Sequence, residues 1–292
     1  MPSILCSLDH IATTQQLARH GVSAYALRRA VYDGRVTRIR RGIYACTHID
    51  SDTARAARAN GAVSCVSALR RAGVWAGHSD QLHVHVSPTE SGLARERDPE
   101  IRYHWARPRF GMVNRFTPTR TEALWLAIHC LDGENAVAAM ESAIHEQFLS
   151  VAEVRRIAAL APRRLQPEIR HMVTNSGSGN ETIVRLRLLN VGYRVESQGH
   201  VPGMGHEDLV VEDCVGLDVD GRAWHGEDRF AIDRDRDLRV EGFGRRALRI
   251  RAAHIFETWP NTLAVIDRAV KDARREQARR TGRVLVRRDD PL

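Results

Sequence analysis

Between residues 207 and 225, EDLVVEDCVGLDVDGRAWH, apolar side chains fall on alternate positions. Leu209, Val211, Val215, Leu217 and Val219 are odd-numbered and apolar; the acids Asp208, Asp218 and Asp220 are even-numbered. A period of two belongs to a strand with one buried face, and the interruption at Glu212-Asp213 signals a hairpin. A two-residue turn there would pair Asp208 with Leu217 and split the apolar stripe between faces. Because a slip of one residue turns every side chain over, the alternation predicts an odd-numbered loop or a bulge. Asp208 then stands opposite Asp218 on the other face.

Elsewhere the period lengthens. Thr13-Thr14 cap a short helix that Gly21 ends, and Ser23 caps a second that Gly34 stops. In the second, Leu27, Ala30 and Val31 recur at core spacing, leaving Tyr25, Arg28, Arg29 and Tyr32 outside. Residues 36–39 and 42–44 read as a strand pair with Arg40-Arg41 at its tip. Residues 10–45 thus predict a winged helix-turn-helix. Further on, helices are expected at 51–60, 62–72, 122–131, 134–146 and 151–161, and strands at 82–86 and 101–105. Asp132, Glu134, Glu141 and Glu146 read as a solvated helix face. Pro162, Pro167 and the run NSGSGN mark a linker over 162–180. Beyond it come a helix in which Val184, Leu188 and Val191 face a sheet, a strand from 193, the hairpin, a helix to about residue 242, a strand at 246–251 and a helix from Pro260. The fold class is α/β in the α+β sense. Three domains are expected: a winged helix at 1–50, a linking α/β domain at 51–174, and an αβββαβ domain at 175–292.

Charge narrows the partners. The formal net charge is +8 and the pI about 9.8, and Lys271 is the sole lysine. The excess points to a polyanion, and Arg presents a planar fork suited to phosphate and guanine edges. A capped helix exposing Tyr25, Arg28 and Arg29, followed by a hairpin carrying Arg38, Arg40 and Arg41, fits DNA: major-groove insertion with phosphate clamping. Cys6, Cys46, Cys65, Cys130 and Cys214 are scattered and lack a C-x-x-C pair, which argues against a disulfide framework or a zinc site. His83, His85 and His104 fall on neighbouring expected strands and read as structural rather than metal-binding. No apolar run reaches membrane-spanning length, and MPSILCSLDH lacks the features of a signal peptide. The expectation is a soluble cytoplasmic protein, with no membrane partner.

Two stretches carry family resemblances. LARHGVSAYALRRAVYDGRVTRIRRGIYA resembles the N-terminal domain of AbiEi-type antitoxins, which implies an autoregulating DNA binder with a toxin partner or a homodimer. Residues 175–270 resemble the very-short-patch-repair-like endonuclease domains of the PD-(D/E)xK class and, more closely, their bacterial relatives. Those read as an acidic helix, a strand with Asp, a strand ending E-x-D-G-R-x-x-H, then D-R-x-R-D and G-x-x-x-L-R. Here Glu181 stands for the helix acid and Asp208 for the first strand acid. LDVDGRAWH supplies Asp218, Asp220, Gly221, Arg222 and His225; DRDRD supplies Asp233, Arg234, Arg236 and Asp237; GRRALR supplies Gly244 and Arg249. Asp218 occupies the usual Glu position, and Asp220 stands where the wider class has its Lys.

The chemistry follows from the residue types. Two carboxylates converging on one sheet face repel unless a cation or proton neutralises them, and hard oxygen ligands suit Mg²⁺ or Mn²⁺. Asp208 and Asp218 are the expected metal ligands. Asp220 is an extra ligand or a water-orienting group, His225 a general acid or base, and Glu181 a holder of metal-bound water or of a second ion. Arg222, Arg234 and Arg236 are expected on the phosphates flanking the cut. The leading expectation is a DNA-binding, Mg²⁺-dependent endonuclease; the alternative is an antitoxin-type regulator whose nuclease fold no longer cuts. The chain has no Gly-rich phosphate loop, which disfavours an enzyme of small phosphorylated substrates.

Overall fold

The structure, a computed structural model, describes residues 2–88, 98–201, 205–220 and 246–280. The chain divides into two compact units, one made of Met1–Leu131 with Glu153–Ala159 and the other of Asp132–Ala152 with Leu160–Leu292. It is a mixed α+β protein with several small sheets.

The first unit opens with α1 (Pro2–Ser7), β1 (Ile11–Thr13), α2 (Thr14–Arg19), α3 (Ala24–Tyr32), β2 (Val36–Arg40) and β3 (Ile43–Cys46). The caps lie where the sequence places them. Thr13 accepts from the Gln16 amide at 3.2 Å while the Gln16 carboxamide accepts from the Thr13 amide at 2.9 Å, a reciprocal box. Ser23 accepts from the Ala26 amide at 3.2 Å. Leu5, Leu17, Leu27, Ala30 and Val36 pack together as the core of this segment. Its sheet has the order β1-β3-β2.

The same unit continues with α4 (Ser51–Arg58), β4 (Ala62–Val63), α5 (Cys65–Arg71), β5 (Leu82–Val86), β6 (Ile101–Trp105), β7 (Met112–Asn114), β8 (Thr117–Pro118) and α6 (Arg120–Cys130). Ile11, Ile43 and Ala45 of the first sheet share a buried cluster with Ala57 of α4 and Phe116. Residues 62 and 63, expected in a helix, are instead a strand antiparallel to β5. Gly61 allows this close approach: a Cβ there would lie 2.4 Å from Val84 Cγ1 and 2.5 Å from the His85 carbonyl oxygen. β5 and β6 run parallel, with His83 beside Arg102 and His85 beside His104.

The second unit holds α7 (Gly133–His145), the ends of α8 (Val151–Leu160), a short 3-10 turn at Arg163–Leu165, α9 (Gln166–Ile169), α10 (Gly179–Asn190), β9 (Val195–Val201), β10 (Gly205–Val211), β11 (Val215–Val219), β12 (Arg246–Ile250), α11 (Ala252–Phe256) and α12 (Trp259–Arg280). The sheet order is β12-β11-β10-β9. The three strands β9 to β11 form an antiparallel meander, and β12 returns parallel to β11. The helix expected to about residue 242 lies outside the described residues. α10 packs on β9 and β10, α12 on β11 and β12.

The hairpin resolves the parity problem as the alternation requires. Val211 pairs with Val215, so Glu212, Asp213 and Cys214 form a three-residue loop. Glu212 and Asp213 take left-handed φ angles of 53° and 58°. Leu209, Val211, Val215 and Leu217 are fully buried, and Val219 nearly so.

Two expectations about faces need correction. Glu141 does not belong to a solvated face: it and Arg185 are almost wholly buried and joined by a 2.5 Å ion pair. α7 is covered by α10, and burial of the acid is made tolerable by a partner on the covering helix. Val191 is 53% exposed, unlike buried Val184 and Leu188, because α10 has ended at Asn190 and Val191 is its C-cap.

Candidate functional site

On the winged-helix segment, Tyr25 and Tyr32 are 68% and 91% exposed. Arg28 and Arg29 on α3, and Arg38 and Arg41 on the β2–β3 hairpin, are exposed as well. Arg40 differs from the expectation. It is half-buried, and its Nη1 is withdrawn from solvent, because pairing with Ile43 at the bulge turns it inward. Two exposed tyrosines and four exposed arginines, of which Arg29 lies 3.8 Å from the Asp33 carboxylate, form an aromatic and cationic surface, of the kind that meets a phosphate backbone.

In the second unit, the pairs Leu209 with Leu217 and Val211 with Val215 set the β10–β11 register. Asp208 and Asp218 lie just beyond those pairs, one on each strand. Both are half-buried, and Asp208 Oδ2 accepts from the Val219 amide at 2.8 Å. On the far side of β11, Asp218 pairs with Arg249 of β12. Asp220, exposed at the strand end, donates its amide to Ile250 at 2.9 Å and accepts at its carbonyl from Asn180 Nδ2 at 3.3 Å. Those bonds bring the end of β11 to the first turn of α10.

That first turn carries Glu181. Ser178 caps the helix by accepting the Glu181 amide at 3.2 Å. The buried Glu181 carboxylate accepts at Oε2 from the Gly177 amide at 2.9 Å and from Gln198 Nε2 at 3.1 Å. Gln198 itself takes a left-handed φ of 55°, a conformation that costs energy in a non-glycine residue and concentrates at functional sites. Burial first, and the negative charge of Asp208 second, push the Glu181 carboxyl up to about 7. Glu181 and Asp208 are therefore electrostatic neighbours although 27 residues separate them in the chain. A further acid, Glu207, escaped the sequence pattern because its odd number assigned it to the apolar stripe. It is 2% exposed, and its carboxylate fills the space that a side chain at Gly216 would need. His225, Arg222, Arg234 and Arg236 lie outside the described residues, as do Gly221, Asp233, Asp237 and Gly244.

The scattered cysteines give a second correction. Cys6, His10, Cys46 and His48 converge, as do Cys65, His83, His104 and Cys130, each set with its four ligand atoms within 4.8 Å of one another. Both sets lie in the first unit. The absence of C-x-x-C spacing did not exclude such clusters, because strand pairing and helix packing assemble the ligands. A local trace was legible for the first set alone, in the paired spacings Cys6-x₃-His10 and Cys46-x-His48. His85 stays out of the second cluster and bonds the Ala106 carbonyl at 2.7 Å.

A family model described as a transcriptional regulator, the AbiEi antitoxin, matches residues 7–47. That span covers α2, α3 and the β2–β3 hairpin, so the N-terminal segment is similar to an antitoxin-type regulator domain. No curated protein matches the chain. Among the described residues, no helix is long and apolar enough to cross a membrane.

Proposed function

We propose that this chain is a DNA-binding, divalent-metal-dependent endonuclease, with the reader in the N-terminal segment and the hydrolytic site on the hairpin sheet of the second unit. The observation that supports the reading is buried Glu181 close enough to feel the charge of Asp208, on a strand paired with the one that carries Asp218. The donor set fits the ion: all are hard carboxylate oxygens, the type Mg²⁺ and Mn²⁺ take while keeping several waters.

Asp208 and Asp218 would hold the metal, which when bound supplies a more acidic water and charge relief on the phosphate. The protein's own groups do the rest. Asp208 is oriented by the Val219 amide. Glu181, held by Gly177 and Gln198 and titrating near 7, is suited to exchange a proton with water at neutral pH. Asp220, exposed at the mouth of the strand, orients that water. Arg249, the register neighbour of Asp218 on β12, supplies positive charge on the side where the wider class uses Lys. His225 as general acid or base, and Arg222, Arg234 and Arg236 on the flanking phosphates, complete the reading from the family pattern. Tyr25, Arg28, Arg29, Arg38 and Arg41 would contact the duplex.

Supercoiled plasmid should be nicked with Mg²⁺ or Mn²⁺ and left intact with EDTA, and Asp208→Asn should remove the activity without changing the circular dichroism. Undiminished nicking by Asp208→Asn would refute the assignment. A second reading is favoured by the regulator match over residues 7–47 and by Asp220 in place of Lys: an antitoxin-type regulator, with a toxin partner or as a homodimer, that binds DNA but does not cut. It predicts a metal-independent mobility shift on the gene's own promoter, lost in Arg28→Ala/Arg29→Ala, together with no nicking under any metal.

A further inference from the structure

We propose that the first unit binds two structural zinc ions, one in each cysteine–histidine cluster. This stands apart from the nuclease reading, because neither cluster shares a residue with the acidic site.

Three ligand-to-ligand edges in each cluster fall near those of a tetrahedral site. With Zn–S near 2.3 Å and Zn–N near 2.0–2.1 Å, ligand atoms in a tetrahedral site lie about 3.8 Å apart for sulfur pairs, about 3.6 Å for sulfur and nitrogen, and about 3.3 Å for nitrogen pairs. In the first cluster, Cys6 Sγ lies 3.7 Å from Cys46 Sγ and 3.7 Å from His48 Nδ1, and His10 Nδ1 lies 3.1 Å from Cys46 Sγ. In the second, His83 Nδ1 lies 3.2 Å from Cys65 Sγ and 3.0 Å from His104 Nε2, which is 3.7 Å from Cys130 Sγ. The shorter edges open by a few tenths of an ångström to admit the ion. The Cys6–Cys46 separation is far beyond the roughly 2.05 Å of a disulfide.

The ligand chemistry selects the metal. Two thiolates and two imidazoles in tetrahedral array suit zinc. Loading each cluster with Zn²⁺ releases the thiol protons to solvent, and two thiolates then cancel the charge of the ion, which suits a buried setting. Four protein ligands leave no open coordination position, so these are structural rather than catalytic ions. His83, only 2% exposed, has its second ring nitrogen 3.2 Å from Ser79 Oγ, the outer contact that fixes a ligating imidazole.

The backbone agrees with the side chains. One residue in each cluster, His10 with φ 67° and Cys65 with φ 56°, takes the left-handed conformation that L residues rarely adopt. Those conformations swing the two ligands toward their partners. The first ion would tie the end of α1 to the end of β3, bracing the sheet that presents the Arg38 and Arg41 hairpin. The second would join α5, β5, β6 and the last residue of α6.

The test is metal analysis of the full, untagged chain, purified under reducing conditions without chelator. Two zinc ions per chain are expected. Co²⁺ replacement should give the intense visible absorption of tetrahedral cobalt with a thiolate charge-transfer band. His48→Ala, at an exposed position, and His104→Ala should each lower the content to one, and the double variant to none. A chain that contains no zinc and takes up none after dialysis against Zn²⁺ overturns the proposal, as does weak, octahedral-type cobalt absorption. Unchanged zinc content in either single variant removes the cluster to which that variant belongs.

Discussion

Replacing Arg185 by methionine leaves the carboxylate of Glu141 buried without its countercharge, and the structure sets the scale of the loss. The side chains of Arg185 and Glu141 are 3% and 1% exposed, and Arg185 Nη2 donates to Glu141 Oε1 at 2.5 Å. The same oxygen accepts from the Val173 amide at 2.7 Å, and Oε2 accepts from Thr182 Oγ1 at 2.5 Å. Arg185 Nη1 reaches the His171 carbonyl at 2.6 Å. These bonds clamp α10 to α7 one turn below Glu181. Removing one member of a buried pair costs about 3–5 kcal/mol, because an uncompensated charge stays behind. At about 1.4 kcal/mol per factor of ten, amides of α7 and α10 should exchange roughly two to three and a half orders of magnitude faster. Hydrogen exchange of those amides is the better assay, since it reads the second unit by itself. Glu141→Met/Arg185→Met should recover part of the loss, because it leaves no lone charge, although Val173 and Thr182 still lose an acceptor. If Arg185→Met accelerates exchange less than about fivefold, or the double variant is as damaged as the sum of the singles, the buried pair does not carry the clamp.

Two further outcomes follow from the acidic site. Glu181 is raised from an ordinary 4.5 to about 7, so the folded protein keeps a proton there that the unfolded chain loses. The stability this contributes is complete below about pH 4.5 and is lost as pH rises through 7, amounting to about 3 kcal/mol. Glu181→Gln, which cannot ionise, should match the wild type in urea unfolding at pH 4.5 and exceed it at pH 8; parallel pH profiles would contradict the burial argument. At Gly216, a Cβ would sit 1.6 Å from Glu207 Oε1 and 2.3 Å from its Cδ. Since Glu207 is 2% exposed, Gly216→Ala should destabilise by about 1–3 kcal/mol through overpacking, and an unaltered melting temperature would show that the carboxylate has room to move.

Local structure was legible in the chain wherever a few neighbouring residues decide it. The Thr13 and Ser23 caps, the outward side of α3 and the odd-numbered hairpin loop each follow from hydrogen bonds or periodicities that span less than a dozen residues. The parity of Leu209 to Val219 alone required that odd loop, because a register slipped by one residue turns every side chain over. What the tertiary structure decided is which polar groups lose their water and which distant ones meet. Glu141 reads as solvated until α10 covers α7, and Arg40 reads as a free tip until the bulge turns it inward. Glu207 is buried, and Gly216 on the neighbouring strand makes its space. Cys65, His83, His104 and Cys130 are spread over 66 residues and show no ligand spacing. A helix start, two parallel strands and a helix end bring them together, and sheet pairing with helix packing, not local sequence, sets those positions.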